Sequence, residues 1–295
     1  FRPISNLLIF AAAIAVVGTT SGGVAAAASM SAGPGGQPDS VTAAAHPAQA
    51  RPLHGVRIVN LHRAYEKALR RVSPGKIAGV LYGRGKAHPH LNRERNATAG
   101  CSEPDCPAVY NGGSVQHNPQ VYLLLWGPGW NTASEAASAG YLGAFYRGLG
   151  VQPGDAWSRI TEQYGDSTGS PSFSGSVFAG VWADLSTPPQ GATSVQLAAE
   201  AYSFASLEGI PNWNDAQVVV ATQSGTCPQG FACPGANGTY CGWHSDVLGL
   251  SFVNLPYQPD AGTACGENSV VGQYDGFSIV GGHEYAETIT DPFPD

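Results

Sequence analysis

His283, Glu284 and Glu287 sit together in the stretch Gly282-His283-Glu284-Tyr285-Ala286-Glu287-Thr288-Ile289-Thr290-Asp291-Pro292. On a helix, residues four apart share a face, so His283 and Glu287 can reach one divalent metal together. Glu284 lies beside them but off that face, where it can take a proton from a water that the metal polarises. His283 and Glu287 are therefore the expected ligands and Glu284 the expected general base. Zinc is the expected ion, since imidazole and carboxylate both suit it.

A catalytic zinc needs a third protein ligand. Asp291 is in phase with the pair, but eight residues span about 12 Å of helix, so it serves only where the helix has ended. His244, in Cys241-Gly242-Trp243-His244, is a second source, and a residue beyond Asp295 is a third. His117 is a weaker candidate. His46, His54, His62, His88 and His90 are assigned no site role. The blander account is that His283 hydrogen-bonds within the core while Glu284 and Glu287 line a solvated helix face. Gly281 and Gly282 weaken a helix, which points to a close approach of backbone or ligand at that turn.

The elements that must position these residues follow from pattern. Gln120–Trp126 (QVYLLLW) is a β-rich run closed by Gly127-Pro128-Gly129. Ser176–Leu185, Gln217–Thr222 and Leu250–Leu255 read as further strands. Ser134–Leu149 and Ser194–Leu207 carry apolar residues at helical spacing, and a last helix runs from about Gly276 to Thr290. This alternation predicts an α/β fold, with a mixed, partly parallel sheet flanked by helices.

Composition narrows the class. Of 295 residues, 12% are charged, against about 25% in ordinary soluble domains. Yet 43% are hydrophobic, which excludes a charged disordered chain, a coiled coil and a collagen-like repeat. Charge is also segregated. Residues 40–100 carry eleven basic residues against Glu66 and Glu94, a net +9, whereas residues 101–295 carry a net −16. Such a basic block beside an acidic one reads as an intramolecular pro-segment rather than a nucleic-acid tail, so no nucleic-acid partner is expected.

The apolar run Leu7–Val17 behind Arg2 is eleven residues long, too short to cross a bilayer, which takes about 20. Small residues Val24-Ala25-Ala26-Ala27-Ala28 follow, as at a signal-peptidase site. The expectation is a signal peptide over 1–28, a linker and basic pro-segment over 29–100, and an acidic domain over 101–295. The product is then secreted, with no membrane span after cleavage. Val56–Val72 reads as an amphipathic helix stopped by Ser73-Pro74-Gly75; it belongs either to a removable pro-piece or to the mature surface. All six cysteines fall within 101–295. In an exported chain they read as disulfides, with short spacing favouring Cys101–Cys106 and Cys227–Cys233 and leaving Cys241–Cys265.

Several motifs carry a family resemblance. The His-Glu pair resembles the zincin helix H-E-x-x-H, with Glu287 replacing the second histidine. Tyr110-Asn111-Gly112-Gly113 before the QVYLLLWG strand, the cysteine-rich loop after QVVVAT, and Tyr274-Asp275-Gly276-Phe277 leading into A-E-x-x-T-D-P resemble the phosphate-induced protein 1 (exordium-like) family. The chain is also similar to exported bacterial proteins ending in H-E-L/Y-A-E-x-x-T-D-P. The exordium-like resemblance implies an extracellular, growth-related or wall-associated protein without established catalysis. The His-Glu pair sets this chain apart from it.

The reading that follows is a disulfide-braced, zincin-like α/β domain. Its expected activity is metal-dependent peptidase or hydrolase chemistry, on a peptide or cell-wall substrate, by a monomer. The alternative is a non-catalytic extracellular or cell-wall-associated protein.

Overall fold

The computed structural model describes residues 55–84, 112–151, 154–235 and 238–294. The signal-like run, the linker and the Cys101/Cys106 pair lie outside the described residues. In chain order the strands are β1 (Arg57–Val59), β2 (Ala78–Tyr82), β3 (Gln120–Trp126), β4 (Phe178–Asp184), β5 (Ala216–Thr222), β6 (Tyr240–Val247) and β7 (Leu250–Leu255). The helices are α1 (His62–Ala68), α2 (Ala133–Gly148), α3 (Ala156–Arg159), α4 (Ser194–Glu208) and α5 (Asp275–Thr290).

The strands form one mixed sheet in the order β1-β4-β3-β5-β7-β6-β2. The first five run parallel, while β6 is antiparallel to β7 and β2 antiparallel to β6. Strands covered on both faces need continuous apolar sequence. That is why QVYLLLW sits at the centre, with β5 and β7 buried along their whole length.

The path β3 to β4 steps one way along the sheet, and β4 to β5 steps back across β3. Right-handed crossovers in opposite directions put their helices on opposite faces. Accordingly, α4 stacks Phe204 on Tyr122 and Trp182 on one face, with α1 packed on α4. On the other face α2 and α5 pack on the sheet and on each other.

Local capping fixes the helix starts. Thr132 accepts from the Glu135 N–H ahead of α2, and Thr193 with Gln196 forms a reciprocal capping box ahead of α4. Two disulfides, Cys227–Cys233 and Cys241–Cys265, brace the loops beside β6.

The expected helix over Val56–Val72 is shorter than its pattern. Its first turn is instead β1, which pairs with β4 and leaves Ile58 exposed on the sheet edge. Past β1, Leu61 at the helix N-cap, Ala68 within α1 and Val72 beyond it are buried. A free strand edge on β4 offers a row of main-chain partners that outweighs the weak helical propensity of Val56, Ile58 and Val59.

Candidate metal centre

Helix α5 lies between β6 and β7 on one side and α2 on the other. Its buried positions include Phe277, Val280, Gly281, Glu284, Tyr285, Thr288 and Ile289. The close approach signalled by Gly281 and Gly282 is that of α2: a Cβ on Gly281 would stand 2.7 Å from the Tyr146 hydroxyl, and one on Gly282 would be 3.3 Å from Phe145. Glu284 is thereby turned inward. It is fully buried rather than part of a solvated face.

Across from α5, β6 delivers His244 from mid-strand. His244 Nδ1 is 3.3 Å from Glu284 Oε2 and 4.0 Å from Glu287 Oε2. Its Nε2 meets the Asp291 carbonyl oxygen at 3.0 Å. A carbonyl can only accept, so Nε2 carries the proton and Nδ1 presents a lone pair to the two carboxylates. The helix does end at Thr290, as a site role for Asp291 required. What Asp291 gives to His244, however, is its main-chain carbonyl, which orients the ring.

His283 sits at the mouth of the cluster, its side chain 21% exposed and its Nε2 3.4 Å from Glu287 Oε1. The backbone of Gly79 on β2 lies beside it. Of the five residues singled out by sequence, His244, His283, Glu284 and Glu287 therefore converge, and Asp291 contributes through its backbone. His117 lies elsewhere, with Nε2 3.1 Å from Asp166 Oδ1.

Electrostatics at the cluster favour neutral groups. Burial pushes the Glu284 carboxyl well above its ordinary value, with the charge of Glu287 adding to the effect. Glu287 is pushed up to about 7, first by burial and then by Asp291. Burial holds His244 down at about 4 and lowers His283 as well. Glu284 Oε1 and Glu287 Oε2 are buried without a hydrogen-bond partner. Buried acceptors left unpaired are costly, so this donor set is short of positive charge.

A cation fits that deficit. Donor atoms of His244, Glu284 and Glu287 all lie within 4.8 Å of one another. Ligand bonds of about 2.0–2.2 Å put the ligands of a tetrahedral zinc about 3.3 Å apart, and the observed 3.3 and 4.0 Å are close to this. A metal-binding histidine commonly donates its second N–H to a carbonyl, as His244 does here. Cys227, Cys233 and Asp260 also cluster, but the two sulfurs are bonded to each other and are not ligands.

Sequence reasoning missed β2. Gly79, with φ +61°, packs directly onto His244 and Glu287, and a Cβ there would collide with both side chains. Its only sequence signal was a glycine in a short apolar run.

The fold is thus a mixed α/β sheet with a buried histidine–carboxylate centre at its antiparallel edge. Protein-family models, curated proteins and solved structures yield no match to the chain, so the functional argument rests on this geometry.

Proposed function

We propose that the chain is an exported, metal-dependent hydrolase acting on peptides. The observation that carries the reading is the convergence of the His244 Nδ1 lone pair on Oε2 of Glu284 and Oε2 of Glu287, beside the buried and unpaired Glu284 Oε1. These three residues would hold the ion. A divalent cation there supplies Lewis acidity, polarising a carbonyl and lowering the pKa of a water beside it.

This allots the roles differently from the sequence pattern. Glu284 has no exposed surface, so it supplies charge to the ion rather than serving as the base. His283, at the mouth with its side chain 21% exposed, is the group placed to exchange a proton with a substrate. Asp291 orients His244 through its carbonyl.

Export is supported by the signal-like run and by two disulfides among the described residues. No helix of the described residues is long and apolar enough to cross a membrane. The motif likeness to exordium-like proteins supports an extracellular setting as well.

A second reading, a wall-associated protein without turnover, is favoured by one observation: the backbone of Gly79 lies over the centre. Metal analysis of the folded, full-length chain separates the two. One equivalent of a divalent ion, bound through His244, supports the hydrolase, and a well-folded chain that binds none supports the wall protein.

A further inference from the structure

The edge of the sheet beside the centre is closed by the chain itself. Strand β2 pairs antiparallel with β6, Ala78 opposite His244 and Leu81 opposite Gly242. Main-chain bonds pin both flanks: the Gly75 N–H donates to the Asp246 carbonyl at 2.7 Å, and the Gly83 N–H to the Thr239 carbonyl at 2.7 Å. Between them the register slips twice: Ala78 to Leu81 takes three residues against two on β6, and Leu81 to Tyr82 one against two. A bulge of this kind re-aims the backbone. Here it seats the Gly79 backbone against His244 and Glu287.

We propose that β2 is an internal pseudo-substrate: Ala78–Tyr82 lies where an extended peptide would lie, with the Gly79 backbone lodged against His244 and Glu287. This rests on the hydrolase reading and names its substrate class. The substrate is a peptide in extended form, added as a strand to β6 through main-chain bonds, with a residue as small as glycine against His244 and Glu287.

Four observations carry the assignment. A Cβ at Gly79 would run into His244 and Glu287, so only the bare backbone reaches the centre. All five β2 residues are half-buried, a strand laid on a surface rather than built into the core. The segment that holds it is basic, a net +9 over residues 40–100 against −16 for the remainder to the C-terminus, so charge favours its docking. Strand Val80 and Tyr82 also line a groove of about 300 Å³ with Tyr240 and Trp243 of β6, which offers a peptide side-chain room beyond the ladder.

The test uses the full chain, its Gly79→Val and Leu81→Asp variants, and a fluorescent peptide of residues 76–84 as probe. Gly79→Val places a side chain on the centre. Leu81→Asp loosens the strand without doing so, and serves if the first variant folds poorly. The expected result is peptide binding to either variant about tenfold or more tighter than to the unsubstituted chain, because freeing the site raises its open population. A peptide carrying the Gly→Val change should not bind. Equal binding by all three proteins, or by none, overturns the proposal. Zinc content is measured in parallel: variants that capture the peptide while no protein holds zinc leave the occlusion standing and sink the metal reading, whereas zinc without capture sinks the pseudo-substrate alone.

Discussion

Nδ1 of His244 lies 3.3 Å from Oε2 of Glu284, and neither side chain has more than 1% of its surface exposed. With the other ring nitrogen committed to the Asp291 carbonyl, two lone pairs face each other across this gap. They need positive charge between them, either a proton on Glu284 or a metal ion. The centre is therefore a place where charge, and not packing, decides the chemistry.

Glu284→Gln tests that point without changing shape. The amide can bond Nδ1 as a protonated carboxyl does, so the apo fold should keep its Tm within about 2 °C, a change of under about 1 kcal/mol. Zinc affinity should fall by about tenfold or more, as for loss of a charged ligand, and hydrolysis should fall with it. Isothermal titration with zinc reads this directly. Undiminished zinc binding with lost turnover would instead return Glu284 to the role of base.

The disulfide Cys241–Cys265 ties β6, three residues before His244, to the loop that precedes α5. Closing a loop of 24 residues stabilises a fold by about 3 kcal/mol. Replacing both cysteines by serine should lower stability by about that amount in urea denaturation. It should also weaken zinc binding, because one covalent tie between β6 and the loop ahead of α5 is then lost. The Cys227–Cys233 loop, only six residues in separation, should cost less when removed.

Gly281→Ala sets two effects against each other. Alanine favours a helix over glycine by about 1 kcal/mol. Its Cβ would, however, stand 2.7 Å from the Tyr146 hydroxyl, on a fully buried ring, and overpacking costs about 1–3 kcal/mol. The clash should win, and the variant should be less stable by about 1 kcal/mol. Gly282→Ala meets only Phe145 at 3.3 Å, so it should be neutral or slightly stabilising.

The opposite face of the sheet holds a pH-sensitive pair. Glu200 on α4 is buried beside Asp184 at the end of β4, with Tyr65 of α1 also facing it. Burial first, and then the Asp184 charge, hold the Glu200 carboxyl well above its ordinary value. An acid whose folded pKa is raised binds its proton more tightly in the native state, so its stability contribution is full below the unfolded pKa and is lost as pH rises through the folded one. Glu200→Gln should therefore raise Tm at pH 8 and leave it unchanged at pH 4. A gain of equal size at both pH values would place the effect outside ionisation.

Much of this was legible in sequence because the informative elements are self-contained. QVYLLLW and QVVVAT are runs that only a strand buried on both faces can use. The helix over Gly276–Thr290 follows from spacing alone. Strand β6 was less visible, because Tyr240–Val247 mixes Cys, Gly, His, Ser and Asp with no alternation; both of its faces are covered, so polarity did not mark a face. The inward turn of Glu284 was illegible for a related reason. Helix α5 is packed between the sheet and α2, and a helix covered on two sides buries residues that its own pattern assigns to solvent. The pairing of His244 with Glu284 spans 40 residues, and the lodging of Gly79 on the centre depends on an edge strand far earlier in the chain. Neither follows from local spacing.

The central claim is that His244, Glu284 and Glu287 hold a divalent ion. The most direct measurement is the metal content of the folded full-length chain after dialysis, beside that of His244→Ala. The account predicts about one zinc per chain, lost in the variant by about tenfold or more in affinity, with both proteins folded by circular dichroism. A folded chain that binds no divalent metal, or a variant that binds it as tightly as the unsubstituted protein, would contradict it.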